Sequence, residues 1–176
     1  MEVVDVVNRL FFGPIIAAAA LVAAPASAES AILGPNAADC RPNSSATAVL
    51  VDVVGLKDRA GNVRIQLYDD NEATFLDKGA RLLRIEAKVP AAGTPRVCVP
   101  LPKPGRYALY VLHDRAGDGK VSFSNDGVGF SRNPKLRLAK PNAGDVITHF
   151  GAGVNETSVV LNYRKGLLGV GPISKK

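Results

Sequence analysis

The sequence is poor in the residues that build common catalytic and metal centres. Its 176 residues include 2 Cys, 2 His, 1 Met and no Trp. Two cysteines are too few for a disulfide-rich scaffold, and two histidines cannot by themselves supply the three or four ligands of a zinc site. The chain also has no Gly-x-Ser-x-Gly, His-Glu-x-x-His or phosphate-loop motif. Hydrolase and oxidoreductase activities therefore have no support in the sequence.

Apolar side chains, in contrast, are plentiful. They make up 47% of the chain against 22% for charged side chains, a balance that excludes intrinsic disorder. A chain of this length supports one globular domain with a sizeable core.

An apolar run near the N-terminus predicts the compartment. Residues 10–24 (LFFGPIIAAAALVAA) are too few to cross a membrane, which takes about 20 residues, but they match the apolar region of a secretory signal peptide. The small residues 26–28 (ASA) then predict cleavage after residue 28 and a mature chain from Glu29. We expect a periplasmic or secreted protein of the bacterial envelope that is not an integral membrane protein. Glu2 and Asp5 are unusual in a signal peptide and keep an uncleaved N-terminal anchor as an alternative.

The mature chain is basic and contains both cysteines. Cleavage removes Arg9 with Glu2 and Asp5, so 22 basic residues become 21, 16 acidic residues become 14, and the net charge rises from +6 to +7. Export places Cys40 and Cys98 in an oxidising compartment, which predicts a disulfide between them. The acidic residue before Cys40, and its distance from the apolar run, argue against lipidation.

Alternating runs separated by Gly and Pro predict an all-β fold. We expect a polar N-terminal arm over residues 29–45, an antiparallel immunoglobulin-like β-sandwich of seven or eight strands over 46–164, and a basic tail over 165–176. The segment Tyr107–His113 is apolar on both faces, which predicts a central strand. The expected strand runs are TAVLVDVVGL, NVRIQLYD, RLLRIEAKV, PRVCVPL, RYALYVLHD, KLRLA, DVITHF and ETSVVLNYR.

Several motifs in this region are shared with a known family. The segment 102–107 (PKPGRY) is similar to the tyrosine corner of immunoglobulin-like sandwiches. Together with other runs between Ala46 and Arg164, it resembles the exported bacterial family called domain of unknown function 2141. The resemblance implies an exported immunoglobulin-like or transthyretin-like sandwich with no settled activity. The matching motifs are Gly61 to Tyr68, Pro104 to Ala108, His113-Asp114, Asp118-Gly119 and Gly129-Phe130-Ser131.

The loop over residues 113–133 is the candidate ligand surface. Its residues of interest are His113, Asp114, Asp118, Gly119, Phe130 and Ser131. A calcium-loop template places its ligands at Asp114, Asp118, Lys120 (through its carbonyl), Ser122 and Asn125. The template fails at Ala116, which has no ligand atom. The alternative is a tight hairpin in which the two aspartates accept backbone N–H bonds and Gly117 and Gly119 adopt positive φ.

The two histidines, His113 and His149, each end a predicted strand. Adjacent residues of a strand point to opposite faces, so His113 and Asp114 cannot form a catalytic dyad by simple geometry. A packed, hydrogen-bonded histidine is the favoured interpretation of His113. An envelope enzyme using either histidine is the alternative.

Basic residues predict the kind of partner. In an exported domain they favour an anionic envelope component or another envelope protein, whereas a solvated surface is the alternative. Nucleic acid does not fit an exported chain without a platform of interleaved aromatic residues. The basic runs comprise Arg81, Arg84 and Lys88; Arg132, Lys135, Arg137 and Lys140; and Arg164, Lys165, Lys175 and Lys176.

The sequence as a whole predicts an exported, non-enzymatic binding or structural module of the cell envelope, with no cofactor. A calcium-stabilised, adhesion-like sandwich is the alternative within the same class.

Overall fold

A computed structural model describes residues 31–167 and 169–173 and confirms the predicted all-β class. The helical elements among these residues are one α-helical turn, α1 (Ala143–Val146), and two 3-10 turns (Ala37–Cys40 and Lys78–Ala80). None of these helices has the length or apolarity to span a membrane. The strands are β1 (Ile32–Leu33), β2 (Ala48–Val54), β3 (Asn62–Tyr68), β4 (Arg81–Lys88), β5 (Arg96–Pro100), β6 (Gly105–Asp114), β7 (Gly127–Phe130), β8 (Thr148–Phe150), β9 (Val154–Val160), β10 (Asn162–Lys165) and β11 (Gly169–Pro172).

The strands form two sheets that pack face to face. The first sheet has the order β1-β5-β2-β9, and the second has the order β11-β10-β7-β6-β3-β4. β6 lies between β3 and β7, at the centre of its sheet as predicted, and its first residues also pair with β8. Most pairs are antiparallel, while β1 runs parallel to β5 and β2 parallel to β9. The expected single run ETSVVLNYR is divided at Leu161, where the chain passes from the first sheet into the second.

The core lies between the two sheets because their strands alternate as the sequence indicates. Val63, Ile65 and Leu67 of β3 all face this core and are each 1% exposed. They meet a row of valines from the opposite sheet, including Val49 and Val51. Interleaved β-branched residues of this kind pack well on a pleated surface.

The turn before β6 is a tyrosine corner, as predicted. The Tyr107 hydroxyl donates a hydrogen bond to the Lys103 carbonyl over 2.9 Å. This bond joins the start of β6 to the loop that precedes it.

The outer face of the second sheet is covered in part by a second apolar cluster. Residues 71–80 and 131–147 supply this cover, so that side chains on both faces of β3 are buried. The cluster contains Tyr68, Phe75, Ala108, Phe130, Leu136, Ala143, Val146 and Ile147.

The prediction of a strand at KLRLA is wrong. Residues 135–139 form no strand, because the segment crosses over the sheet between Pro134 and Pro141 instead of pairing with an edge. Its alternation has another cause: Leu136 is buried in the outer cluster, whereas Leu138 is 56% exposed. DVITHF is also shorter as a strand than expected, since its first two residues belong to α1.

The N-terminal arm is attached to the first sheet. The predicted Cys40–Cys98 disulfide is confirmed, with the two Cα atoms 5.7 Å apart, and it packs with Ala48 and Leu50 on the outer face of that sheet. β1 adds an edge strand from the same arm.

The C-terminal segment also extends the sandwich. β11, within the residues expected to form a basic tail, pairs with β10 and extends the second sheet. The predicted signal peptide at 1–28 lies outside the described residues.

Candidate functional site

His113, at the end of β6, is fully buried and has both ring nitrogens occupied. Nδ1 lies 2.7 Å from the Tyr163 hydroxyl, and Nε2 lies 2.8 Å from the Ala60 carbonyl. A carbonyl can only accept, so Nε2 carries the proton and Nδ1 accepts from the tyrosine, whose oxygen in turn accepts from the Lys57 N–H at 3.0 Å. This chain of bonds holds the imidazole neutral and in one tautomer.

Burial also acts against protonation of this histidine. Desolvation lowers the pKa of His113, while the Ala60 carbonyl and the nearby Asp58 carboxylate act in the opposite direction. Burial likewise raises the pKa of Tyr163 to about 12. The pair therefore shares one neutral hydrogen-bond network over the physiological range.

His149 does not join His113. It lies on β8 opposite Arg106, and His113 is seven residues further along β6, a separation of about 23 Å at the rise of a β-strand. The side chain of His149 is exposed. The two histidines therefore do not share a site.

Asp114 organises the loop that follows β6. Its Oδ1 accepts from the Gly117 N–H and its Oδ2 from the Gly119 N–H, each over 2.8 Å. Oδ2 also accepts from Arg64 Nη2 at 3.1 Å, so this fully buried carboxylate is neutralised by an equally buried guanidinium. Gly117 and Gly119 have φ of 67° and 77°. These are the bonds and angles of the tight hairpin that the sequence offered as the alternative to a calcium loop.

Two further carboxylates in this loop also accept backbone N–H groups. Asp118 accepts from the Lys120 N–H at 2.9 Å. Asp126, which the sequence reasoning did not single out, accepts from the Arg115 and Ser122 N–H groups. In the sequence, Asp126 stands one residue beyond the last position of the calcium template.

The other candidate calcium ligands are dispersed among structural contacts. The Asn125 side chain accepts from Arg115, which also pairs with Asp58. The Ser122 hydroxyl lies 3.1 Å from that of Ser124. Across residues 31–167 and 169–173, no group of three or more His, Cys, Asp or Glu side chains is placed to hold a metal ion.

Phe130 and Ser131 also make contacts that hold the fold together. The Ser131 hydroxyl accepts from the Leu109 N–H at 2.9 Å and donates to the Val146 carbonyl at 2.5 Å, which attaches α1 to β6. The Phe130 ring packs 5.4 Å from that of Tyr110. Gly129 is needed because a Cβ at this position would lie 2.7 Å from the Val160 carbonyl oxygen.

A groove of about 780 Å³ opens on the outer face of the second sheet, beside these residues. Its floor comes from adjacent positions of neighbouring strands, since Tyr110 lies opposite both Gln66 and Phe130 in the register. The loop after β6 and the segment 136–141 also line the groove. Tyr68, Phe130 and Leu136 of the outer cluster line the groove, so the groove opens against that cluster.

The floor presents polar atoms to this space. The side-chain amide oxygen of Gln66 accepts from the Tyr68 hydroxyl at 2.6 Å. The Tyr110 hydroxyl forms no hydrogen bond with any described residue. Burial raises the pKa of Tyr110 to about 12, so its hydroxyl is neutral and able to donate to a ligand.

The lining of the groove is strongly basic. Among the described residues, eight of the chain's 22 Lys and Arg line it, against one of its 16 Asp and Glu, the buried Asp126. An evenly mixed surface would not separate the two signs in this way. The eight are Arg64, Lys78, Arg81, Arg84, Lys120, Arg137, Lys140 and Arg164.

Most of these charges have no carboxylate partner within the described chain. Arg64 and Arg84 pair with Glu86. Lys140 and Arg164 donate to backbone carbonyls, which leaves their charge uncompensated. The side chains of the other four form no hydrogen bond or ion pair with a described residue: Lys78, Arg81, Lys120 and Arg137.

Exposed apolar side chains from two segments line the groove. Phe123 is 72% exposed and Val121 44% exposed on the loop after β6, and Leu138 is 56% exposed on the facing segment. Single exposed apolar side chains are ordinary on protein surfaces, whereas several that line one groove are a feature of binding sites.

The sequence reasoning recognised only part of this site. Arg81, Arg84, Arg137, Lys140 and Arg164 were noted as members of three separate basic runs, and the structure places them around one groove. Gly119 and Phe130 of the predicted ligand loop also line the groove. Lys78, Gln66 and Tyr110 were not noted as binding candidates, because no local pattern distinguishes them from other surface or strand positions. The signal available was the charge itself.

Residues 51–158 match the family model described as an uncharacterized protein conserved in bacteria, domain of unknown function 2141. No match was found among curated proteins or among solved structures.

Proposed function

The chain belongs to the uncharacterised bacterial family domain of unknown function 2141, and from that premise we propose that it is an exported, non-enzymatic binding module of the cell envelope. The proposed binding site is the basic groove on the second sheet, and the proposed ligand carries negative charge. The observation that carries the proposal is the separation of charge in the groove lining, eight cations against one buried carboxylate.

Export is supported by the two cysteines. The Cys40–Cys98 bridge joins residues 58 positions apart, and on the chain-entropy model closing such a loop stabilises the fold by about 4 kcal/mol. Bridges of this kind persist in oxidising compartments and are rare in the bacterial cytosol. The apolar N-terminal run supports the same compartment.

A binding role, as opposed to a catalytic one, is supported by how the reactive groups are used. His113 is hydrogen-bonded through both nitrogens, and Asp114 is neutralised by Arg64. A general base needs a free nitrogen or oxygen within reach of a substrate. The groove offers donors and positive charge, which suit recognition of an anion.

The test is a titration of the full chain with inorganic phosphate at constant ionic strength, followed through backbone amide chemical shifts. We expect the changes to concentrate at residues that line the groove. Arg81→Gln with Arg137→Gln is expected to weaken phosphate binding about tenfold, since each exposed pair contributes about 0.2–1 kcal/mol.

The matched control is Lys57→Gln with Lys103→Gln, which removes the same two charges from exposed positions outside the groove. This control is expected to keep the binding of the parent chain. Shift changes spread equally over Lys57, Lys103 and the groove would refute the proposal and favour a merely solvated basic surface.

A further inference from the structure

Charge explains only part of the groove, because exposed apolar side chains line it beside the cations. Phe123 and Leu138 come from separate loops, and both line the groove with most of their surface in water. A small inorganic anion would leave these side chains exposed. A ligand with an apolar part would cover them, and the free energy gained would scale with the apolar area removed from water.

The position of Phe123 is maintained by the loop and not by apolar packing of its own ring. The turn around it is held by N–H bonds from Ser122 to Asp126 and from Asn125 to the Ser122 carbonyl. An aromatic ring kept in water by an ordered turn is a feature of apolar recognition sites. Nearby on the same loop, Lys120 adds a cation without a carboxylate partner in the described chain.

The size and the floor of the groove fit a small amphiphile. A volume of about 780 Å³ lies within the range of about 300–1,000 Å³ that is usual for small-molecule sites. Val128, Phe130 and Leu136 give apolar contact, while the Tyr110 hydroxyl offers a hydrogen-bond donor.

We infer that the groove binds an anionic amphiphile: a single acyl or alkyl chain that contacts Phe123 and Leu138, joined to a phosphate or carboxylate head that the cationic rim neutralises. This inference rests on the proposed function and names its ligand class. Apolar side chains and uncompensated positive charge line the same concave surface. A single molecule with an apolar chain and a negatively charged head would contact both.

The test compares three probes with the full chain by isothermal titration calorimetry, all below the concentrations at which they form micelles. Dodecyl phosphate has the chain and the charge, dodecyl maltoside has the same chain without charge, and inorganic phosphate has charge without a chain. Burying three methylene groups tightens binding about fiftyfold, so dodecyl phosphate is expected to bind at least that much more tightly than inorganic phosphate.

Two pairs of variants separate the contributions. Phe123→Ser with Leu138→Ser is expected to weaken binding of both dodecyl probes about tenfold and to leave inorganic phosphate unchanged. Leu82→Ser with Leu167→Ser removes two exposed apolar side chains outside the groove and is expected to change nothing. Arg81→Gln with Arg137→Gln is expected to weaken dodecyl phosphate and not dodecyl maltoside.

The outcomes distinguish this inference from the proposed function. If inorganic phosphate binds the groove and dodecyl phosphate binds no more tightly, the amphiphile inference is wrong and the anion site stands. If neither phosphate probe binds, both are wrong. The inference would also be overturned if the Leu82→Ser, Leu167→Ser control lost as much affinity for the dodecyl probes as the Phe123→Ser, Leu138→Ser variant. Binding to vesicles of anionic lipid without binding to monomeric dodecyl phosphate would overturn it too.

Discussion

Replacing Asp114 by Asn tests whether the loop beside the groove is held by a buried ion pair or by a cation from solution. Asp114 is fully buried, and its Oδ2 accepts from Arg64 at 3.1 Å. Arg64 has one other carboxylate, Glu86, whose side chain is 32% exposed. The Asn variant keeps the shape of residue 114 and removes its charge.

The expected loss of stability is large because the variant leaves the buried Arg64 guanidinium with one carboxylate partner, Glu86, where the parent chain has two. Removing one partner of a buried ion pair costs about 3–5 kcal/mol. The new amide N–H₂ also faces either the Gly117 or the Gly119 N–H, so one of these donors loses its acceptor. In a domain of this size, we expect the melting temperature to fall by about 10–20 °C.

The assay is thermal and urea unfolding with added calcium and with a chelator. The matched control is Asp118→Asn, because Asp118 is exposed and its amide analogue still accepts from the Lys120 N–H. This control is expected to lose less than about 0.5 kcal/mol. Calcium is expected to move neither midpoint, since the oxygens of Asp114 already accept three hydrogen bonds.

A loss of under about 1 kcal/mol in Asp114→Asn would refute the ion-pair reasoning. A parent chain that melts higher with calcium than with a chelator would instead restore the calcium-stabilised module as the better interpretation of the loop.

Two further predictions concern the compartment and the buried histidine. In cells, Cys40 and Cys98 are expected to react with a maleimide only after reduction; two reactive thiols before reduction would contradict export. Burial lowers the pKa of His113 in the folded state, so the unfolded state takes up a proton more readily than the folded state. The free energy of unfolding is therefore highest above the unfolded-state pKa of 6.5 and falls as the pH is lowered towards the folded-state pKa. The urea midpoint should therefore drop from pH 7.5 to 5.5, and His113→Gln should flatten this drop, whereas an equal drop in that variant would assign it to other groups.

The strands were predictable because their signals are local. Alternation over a few residues located β2 and β3, a short run that is apolar on both faces located β6, and Pro and Gly marked the turns between them. KLRLA misled because alternation also arises where an irregular segment packs one side chain into a cluster, as Leu136 does. Periodicity reports which side chains are buried, and a strand is one way to bury them.

The groove was not predictable, because it depends on register. Arg84 faces it only because it lies opposite Gln66, which in turn lies opposite Tyr110. Lys88 is in the same run and does not line the groove. The separation of Arg84 and Arg137 in the sequence gives no indication that both would line the same groove.

The family motifs and the groove are connected through Arg64. Its guanidinium lines the floor and also holds Asp114, whose carboxylate fixes the Gly117 and Gly119 N–H groups of the adjoining loop. That loop in turn brings Phe123 to the groove. The His-Asp motif therefore shapes the groove through the loop, while Gly119 of the Asp-Gly motif lines it.

Ligand preference should then depend on the residues between the motifs. Lys120 and Phe123 lie in the loop that Asp114 anchors, and no structural hydrogen bond or ion pair among the described residues uses their side chains. Exchanging them changes the charge and apolarity of the groove while the ion pair keeps the loop in place. On the proposed function, exchanging Lys120 or Phe123 is therefore expected to change which anion this groove binds while the fold is kept.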